Sequence, residues 1–316
     1  MFHHIWKWSQ KTKVRKIFMN RKILMVALLV IVVSWVTNLW YYQSKQLDGA
    51  LFLEHYYGGV DTFELYYLMN KQNPKRVQSV EFSDGTVMYP KYEQTRFHQD
   101  SPRMNVNVRS ESTHYWMAAV HFDAQEIMRK SVDHEGEATI TMDDGETIVA
   151  DIGTIFTEKP PERSGVFRQD MTSGGSDGRS TQSYTVMEKI EVEEISSPFP
   201  ELTDEMLIKI HTGSNGNRTT EGHLPDWYEE EKDMEWDKVS GENLRAIDYP
   251  LIVEQGEHIR QTIQHNKDAL IASWFPLKLT GTMENGRAFA ERFLVYNQPQ
   301  FTPEQMNELV EREGDE

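Results

Sequence analysis

Residues 23–42 read Ile-Leu-Met-Val-Ala-Leu-Leu-Val-Ile-Val-Val-Ser-Trp-Val-Thr-Asn-Leu-Trp-Tyr-Tyr, an apolar run without a single charged side chain. As an α-helix with a rise of about 1.5 Å per residue, this run would be roughly 30 Å long, which is the hydrocarbon thickness of a bilayer. The sequence therefore predicts a transmembrane helix over residues 23–42. This helix divides the chain into a short tail and a long C-terminal part.

Basic residues crowd the amino-terminal side of this run. Seven bases and no acid precede it, namely Lys7, Lys11, Lys13, Arg15, Lys16, Arg21 and Lys22. The positive-inside rule then predicts a cytoplasmic N-terminus and a C-terminal domain outside the cytoplasm, in a single-pass protein of the cell membrane. We expect the inner membrane interface at the basic residues Lys16, Arg21 and Lys22. We expect the outer interface at the aromatic residues Trp40, Tyr41 and Tyr42.

A cleaved signal peptide is the alternative interpretation of the same run. Signal-peptide apolar regions are about 7–15 residues long and end near a small-x-small cleavage site. The present run is longer, and no convincing Ala-x-Ala pattern follows Tyr42. The interpretation favoured by the sequence is a helix that is retained as a membrane anchor.

The charge of the C-terminal part restricts its partners. The whole chain has 33 basic and 50 acidic residues, for a net charge of −17. Without the seven bases of the tail, residues 43–316 have 26 bases against 50 acids, a net charge of −24. Such a surface repels polyanions, so nucleic acid is not an expected partner. The absence of cysteine excludes disulfides and thiolate chemistry.

Alternating apolar residues around Asp-Gly or Asn-Gly pairs dominate the sequence from residue 76 onward. The pattern occurs at residues 80–88, 140–148 and 279–289. Asp-Gly and Asn-Gly accept the positive φ angles of a type I′ turn, so each segment predicts a β-hairpin. The predicted fold is one N-terminal transmembrane helix followed by a β-rich, mainly antiparallel, sandwich-like extracytoplasmic domain with a few short helices.

The chain is predicted to have five parts. Helical spacing of aromatic residues in 48–72 suggests a helix near the membrane, and a Pro- and Gly-rich stretch suggests a linker. The parts are a basic cytoplasmic tail (1–22), the transmembrane helix (23–42), a membrane-proximal helical region with a first β lobe (43–158), a flexible linker or loop (159–183), and a second β lobe with a C-terminal helix (184–316).

Three short helices are predicted in the β-rich part. One spans residues 123–130 with Asp123 as its cap, and another spans residues 254–270. The last begins at Thr302-Pro303-Glu304, where Thr is a good N-cap and Pro suits the first helical position.

The stretch 226–237 is the candidate contact surface. It combines indole rings with carboxylates, which together can bind a cationic or amphipathic partner, and its central residues are Trp227, Tyr228, Glu229 and Trp236. The alternative is an acidic solvated helix whose two tryptophans pack onto the domain.

Catalytic and metal-binding motifs are not identifiable in the sequence. The Asp143-Asp144-Gly145-Glu146 stretch lacks the alternate acids of a calcium loop, so a hairpin turn is the favoured interpretation. His258 and His265 could share a helix face, but no third ligand is evident. No nucleophile elbow or phosphate-binding glycine motif occurs. The catalytic residues are therefore unknown, and neither a cofactor nor a metal is predicted.

Two hypotheses of function follow. The first is a membrane-anchored extracytoplasmic binding, sensing or accessory domain, whose partners would be the lipid bilayer and another membrane or envelope protein. The alternative is a membrane-anchored envelope hydrolase that uses carboxylates for acid–base catalysis, because 50 acids leave room for such a pair.

Overall fold

The computed structural model describes residues 21–59, 61–91, 107–123, 134–156, 164–174, 178–204, 206–214, 224–266 and 269–313. The chain divides into two compact units, Met1–Gln46 and Leu47–Glu316.

The described part of the first unit is dominated by one helix, α1, which spans Arg21–Ser44. Its 24 residues include the predicted apolar run, and none of its side chains is buried. By length and composition α1 is able to cross a membrane, although a signal sequence near an N-terminus would have the same properties. The prediction of a long N-terminal apolar helix is thus confirmed.

The second unit, Leu47–Glu316, is mostly β-strand, and its described strands form three sheets. In spatial order, outer sheet 1 contains β1 (Leu51–Phe52), β3 (Thr62–Asn70), β7 (Tyr115–Asp123) and β6 (Asn107–Glu111). Outer sheet 2 contains β10 (Phe167–Gly174), β11 (Arg179–Val186), β16 (His258–His265), β13 (Met206–Gly213) and β14 (Glu242–Asn243).

The central sheet is the largest of the three. It contains β15 (Leu251–Val253), β12 (Ile190–Ser196), β17 (Ile271–Met283), β2 (Glu54–Gly58), β9 (Thr147–Phe156), β8 (His134–Met142), β4 (Val77–Phe82) and β5 (Val87–Met88), with β18 (Ala288–Asn297) paired to β17. Most pairs are antiparallel, whereas β2 is parallel to both β17 and β9. The expectation of a mainly antiparallel, β-rich fold is confirmed.

Few helices accompany these sheets in the described residues. They are α2 (Asp226–Glu231), α3 (Pro303–Glu313) and the 3-10 turns Pro200–Asp204, Trp236–Lys238 and Leu244–Ala246.

Two hydrophobic cores lie on opposite faces of β17. Ala272 belongs to core 1, which joins outer sheet 1 to the central sheet, whereas Phe275, Leu277 and Leu279 belong to core 2, which joins outer sheet 2 to the central sheet. Successive side chains of a strand point to opposite faces, so even-numbered and odd-numbered positions of β17 serve different faces. The two outer sheets therefore cover opposite faces of the central sheet.

Pro276 lies inside β17, where a proline would normally remove a sheet hydrogen bond. β12 pairs with β17 as far as Lys278, and β2 pairs with it as far as Trp274. Along the edge that β12 and β2 share, Pro276 therefore falls between the two partner strands. The Met283 N–H donates to the Arg287 carbonyl, and hydrogen-bonded positions alternate along an antiparallel pair. The odd-numbered residues of β17 therefore bond to β18, and Pro276, at an even-numbered position, does not. The proline thus occupies a gap that tolerates it.

Gly281, near the end of β17, permits a close approach of two backbones. A Cβ atom at this position would overlap the carbonyl oxygen of Glu191 on β12. Only glycine fits where backbones approach so closely. This contact explains the glycine without any need for a positive φ angle.

The three predicted hairpins are confirmed, and all of them belong to the central sheet. The predicted turn type is wrong, because each loop has three residues rather than two. In the first hairpin, the Phe82 N–H donates to the Thr86 carbonyl and the Gly85 N–H donates to the Phe82 carbonyl, with φ at Gly85 of 79°. This is a turn closed by a glycine bulge, and the Asp84 carboxylate accepts the Thr86 N–H.

The helix predicted within residues 48–72 is wrong. This segment contains β1, β2 and β3, and β3 is buried on both faces over most of its length. Burial on both faces favours a continuous apolar run, which hides the period of two that marks a half-exposed strand. The helix predicted over residues 254–270 is also wrong, since its described part contains strand β16. The buried positions of β16 include the polar residues Arg260, Gln261 and Thr262, so no alternation of apolar and polar residues marks it as a strand.

The predicted linker over residues 159–183 also differs from the structure. β10 and most of β11 fall within it, and they form a long antiparallel pair. Of the helix predicted over 123–130, Asp123 ends β7 and the remaining residues lie outside the described part. The division of the second unit into two lobes stays a prediction.

The C-terminal helix α3 is confirmed. The Thr302 hydroxyl accepts the Gln305 N–H, and the Gln305 side chain accepts the Thr302 N–H, so the two residues form a reciprocal cap. Its Met306 and Leu309 side chains are buried in core 1. The C-terminal helix α3 therefore packs into core 1.

His55 is a fully buried histidine that links outer sheet 1 to the central sheet. Its Nε2 accepts the Tyr66 N–H of β3 at 2.7 Å, and its Nδ1 lies 3.2 Å from the Ile152 carbonyl of β9. The first bond requires an unprotonated Nε2, so Nδ1 carries the proton and donates to Ile152. Burial lowers the pKa of His55 to about 3, and the ring is neutral in the folded protein.

We expect His55 to make stability dependent on pH. The pKa is lower in the folded state than the ordinary value of 6.5, so protons bind preferentially to the unfolded chain below pH 6.5. This histidine should therefore reduce the free energy of unfolding by about 1.4 kcal/mol per pH unit as the pH falls from 6.5 towards 3. Denaturant unfolding of the full chain and of His55→Gln, from about pH 7 to about pH 4, should show a shallower slope for the variant.

A suitable comparison is His265→Gln, because burial also lowers the pKa of His265, to about 4. The double variant should have a smaller slope than either single variant. Parallel pH profiles for the full chain and His55→Gln would contradict the neutral, buried histidine.

Gly281→Ala should destabilise the protein strongly. The new methyl group would overlap the Glu191 carbonyl and force β12 away from β17, at a cost of roughly 2–3 kcal/mol in the free energy of unfolding. Gly174→Ala is the matched control, because a Cβ at that position has no neighbour within 4 Å. Urea unfolding should show a large decrease for the first variant and a small change for the control. Equal midpoints would contradict the close approach.

Candidate functional site

The segment with the predicted contact surface lies against outer sheet 2. The Trp227 ring of α2 stacks on the Arg260 guanidinium of β16, with 4.1 Å between the guanidinium carbon and the ring centroid. Arg260 is only 4% exposed, and its Nη2 lies 3.0 Å from a carboxylate oxygen of Glu231. Tyr228 shares a hydroxyl hydrogen bond with Ser173 of β10. These contacts attach α2 to outer sheet 2.

Trp236 makes a second contact of the same kind. Lys209 Nζ of β13 lies 5.1 Å from the centroid of the Trp236 ring, and it donates to the carbonyls of Trp236 and Val239 at 2.8 Å each. A cation over an indole face is attracted by the ring quadrupole. Glu229, in contrast, is exposed and pairs with Lys232 of the next turn.

The two indoles thus contact basic side chains of the sheet, and the outward side of the segment is acidic. The sequence correctly grouped Trp227, Tyr228, Glu229 and Trp236 as one segment, but it gave no indication of their partners. The geometry favours the alternative of an acidic segment whose tryptophans pack on the domain. A role of these four residues in binding stays a prediction.

Desolvation dominates the electrostatics beneath α2. Burial lowers the pKa of the Arg260 guanidinium, whereas the neighbouring Glu231 carboxylate raises it again. The pair thus lies in a setting where an uncompensated charge would be costly.

A pocket of about 220 Å³ beside this pair is lined by Arg179, Trp227 and Glu231, among others.

The residues predicted at the membrane interfaces lie near both ends of α1. Arg21 and Lys22 begin the helix, and Trp40, Tyr41 and Tyr42 lie in its last turns. Lys16 lies outside the described residues.

The acids of the turn at residues 143–146 pair with neighbouring bases. Lys75 pairs with both Asp144 and Glu146, and Arg76 pairs with Asp143 at 3.0 Å. The hairpin interpretation of this turn therefore has direct support. Among the described residues, no group of three or more His, Asp or Glu side chains is arranged to hold a metal ion.

The two histidines weighed as zinc ligands do not come together. His258 and His265 both lie on β16, and their odd separation in sequence places them on opposite faces of the strand. His258 Nδ1 instead lies 3.1 Å from the Asp170 carboxylate of β10.

A larger cavity, which we call the cleft, was not predicted from the sequence. It has a volume of about 560 Å³ and lies between β10–β11 of outer sheet 2 and β17–β18 of the central sheet. Tyr184 and Phe293 form part of its wall, stacked with ring centroids 4.4 Å apart, and Phe167 packs edge-on against both rings. An aromatic wall of this kind is typical of ligand sites.

Two buried polar side chains converge on the cleft. The Gln182 side chain accepts the Tyr184 hydroxyl at 2.6 Å and donates to the Leu294 carbonyl at 2.6 Å. Glu291, which is 8% exposed, accepts the Ser164 N–H at 2.8 Å and also the Ser164 hydroxyl on the same oxygen. Apart from the alternation of β18, no signal in the sequence could have located this group, because its residues come from several strands and a loop.

The fold and these sites define a mostly β protein with an N-terminal apolar helix and an aromatic, carboxylate-lined cleft. No protein-family model matches the chain, and no curated protein matches it. A crystal structure of Dpr11 IG1 bound to DIP-gamma IG+IG2 is similar to it at 8% identity and a TM-score of 0.20, over 78% of this chain and 98% of that chain. Function is therefore inferred from the residues of the chain themselves.

Glu231→Gln should destabilise the packing of α2. The substitution would leave the buried Arg260 guanidinium without its carboxylate, and breaking such a pair costs about 3 kcal/mol in the free energy of unfolding. Glu229→Gln is the matched control, because it changes the charge equally but breaks only an exposed pair with Lys232. Chemical unfolding should show a large decrease for the first variant alone, and equal decreases would contradict a buried ion pair.

Proposed function

We propose that this protein is a single-pass membrane protein whose acidic, β-rich domain lies outside the cytoplasm and binds another protein. The observation that carries the proposal is α1, an apolar helix of 24 residues in which no side chain is buried. A long apolar helix without a buried side chain exposes a large hydrophobic surface, and a bilayer is the surrounding in which such a surface is stable.

The orientation in this proposal comes from charge. Seven bases and no acid precede the apolar run, whereas residues 43–316 have a net charge of −24. Basic residues remain preferentially on the cytoplasmic side. The domain that carries the cleft and the acidic α2 segment would then face the outside.

A binding role is supported by the cleft and by the acidic surface. The cleft volume of about 560 Å³ falls within the usual range of roughly 300–1,000 Å³ for ligand sites. The excess of carboxylates favours a partner with basic groups. The envelope hydrolase stays an alternative prediction, which cleavage of an envelope polymer by the purified full chain would establish.

Substitution inside α1 should release the protein from the membrane. A Leu29→Arg and Val33→Arg double variant places two charges on one face of the helix, each costing about 2.5–3.5 kcal/mol on insertion. Wild-type chain should remain in the membrane pellet after alkaline extraction with an intact mass of 36.9 kDa, and the variant should not. The Leu29→Ile and Val33→Leu double variant, which remains apolar, is the control.

The topology is tested in cells that produce the wild-type chain with an epitope at its C-terminus. Externally added protease should remove this epitope from intact spheroplasts. If the measured mass shows that the N-terminal residues are missing, the apolar run is a cleaved signal peptide. If the epitope is protected from protease, the orientation is the reverse of the proposed one. Either result would overturn the proposal.

A further inference from the structure

The Glu291 carboxylate has an unused acceptor that borders the cleft. Both donors of Ser164 go to Oε1. Within the part of the chain that the structure describes, no hydrogen-bond donor or basic group reaches Oε2. A buried carboxylate stabilises its charge through several hydrogen bonds or a cationic partner, and it can accept about four bonds in total. Glu291 is 8% exposed and lines the cleft, so the cleft is the route by which a further donor can reach it.

The surroundings of Glu291 favour a cation on an apolar stem. The charged lining residues are Asp61, Glu291 and Arg292, so carboxylates outnumber bases. The Phe167 ring, which is only partly buried, borders the same space, and an aromatic face attracts cations and covers methylene groups. An ammonium or guanidinium group at the end of an aliphatic chain meets both conditions.

The neighbouring residues hold this carboxylate in place. Glu291 lies on β18 opposite Leu279 of β17, within the long β17–β18 pair. Ser164 restrains its Oε1, and Gln182 ties the Leu294 carbonyl of β18 to outer sheet 2. A restrained carboxylate binds a cation with little loss of side-chain entropy.

We propose that the cleft is the recognition site for a lysine or arginine side chain of the partner protein, with Glu291 Oε2 as the acceptor of its cationic group. This inference rests on the proposed function of partner binding and adds the chemistry that the partner must present. The aliphatic part of the basic side chain packs on Phe167, and the charge pairs with Glu291. The negative charge of residues 43–316 attracts basic partners from a distance.

A peptide selection tests this proposal and does not require the partner to be identified. The full chain, reconstituted in lipid nanodiscs, is used to select binders from a displayed library of random heptapeptides. Selected peptides are then measured by fluorescence anisotropy against wild-type chain and against Glu291→Gln, which keeps an oxygen for Ser164 but removes the charge. Glu284→Gln, an exposed change in the loop between β17 and β18, is the control of equal charge.

The expected result is enrichment of lysine or arginine at one peptide position. Replacing that residue by citrulline or norleucine should weaken binding at least tenfold, since a charge-assisted bond to a buried carboxylate is lost. Glu291→Gln should weaken the basic peptide at least tenfold and the neutral peptide less than twofold. Glu284→Gln should leave both affinities within twofold of wild type.

Three results would overturn the proposal. The first is a selection that does not enrich lysine or arginine, and the second is an affinity of Glu291→Gln for the basic peptide equal to that of wild type. The third is displacement of the bound peptide by spermidine at a lower concentration than any selected peptide needs for binding. The last would assign the cleft to a free polyamine. These failures differ from failure of the proposed function, which would show as a cleaved or inverted chain in the membrane experiments.

Discussion

β17 is the strand on which both cores depend. Ala272 on one face enters core 1, whereas the odd-numbered side chains on the other face enter core 2, so a change in the position of this strand affects both cores. One edge pairs with β18 along most of the strand, and the other edge is shared between β12 and β2. Pro276 and Gly281 mark two places where this arrangement constrains residue type, one at a gap between partner strands and one at a close backbone contact.

Buried polar side chains connect the layers around this strand. His55 links β3 to β9 across core 1, and Gln182 links β11 to the backbone of β18 across core 2. Arg260, stacked under Trp227 and paired with Glu231, fixes α2 to outer sheet 2. Each of these groups costs free energy on burial unless its partners are in place, so together they favour one alignment of the sheets.

Two acidic places among the described residues differ in how far neighbouring bases balance their charge. At the turn of residues 143–146, each of the three acids pairs with Lys75 or Arg76. At the cleft, Glu291 is held by Ser164 but keeps an oxygen for another donor. The difference lies in the residues of the neighbouring segments, which place bases beside the turn and a serine beside Glu291.

The sequence by itself determined the apolar helix, the predominance of strands, the three hairpins and the capped C-terminal helix. These features depend on local chemistry: an uncharged run, alternation, glycine after Asp or Asn, and Thr-Pro at a helix start. It could not reveal that β3 and β16 are strands. β3 is mostly apolar on both faces, and β16 buries polar residues, so neither shows the alternation of apolar and polar residues that identifies a strand. Only the tertiary structure decided the partners of Trp227 and Trp236, the three-residue form of the hairpin loops and the existence of the cleft. The tryptophan contacts and the cleft depend on side chains brought together from distant segments. The form of the hairpin loops depends on how the paired strands align. None of these three features follows from the local sequence.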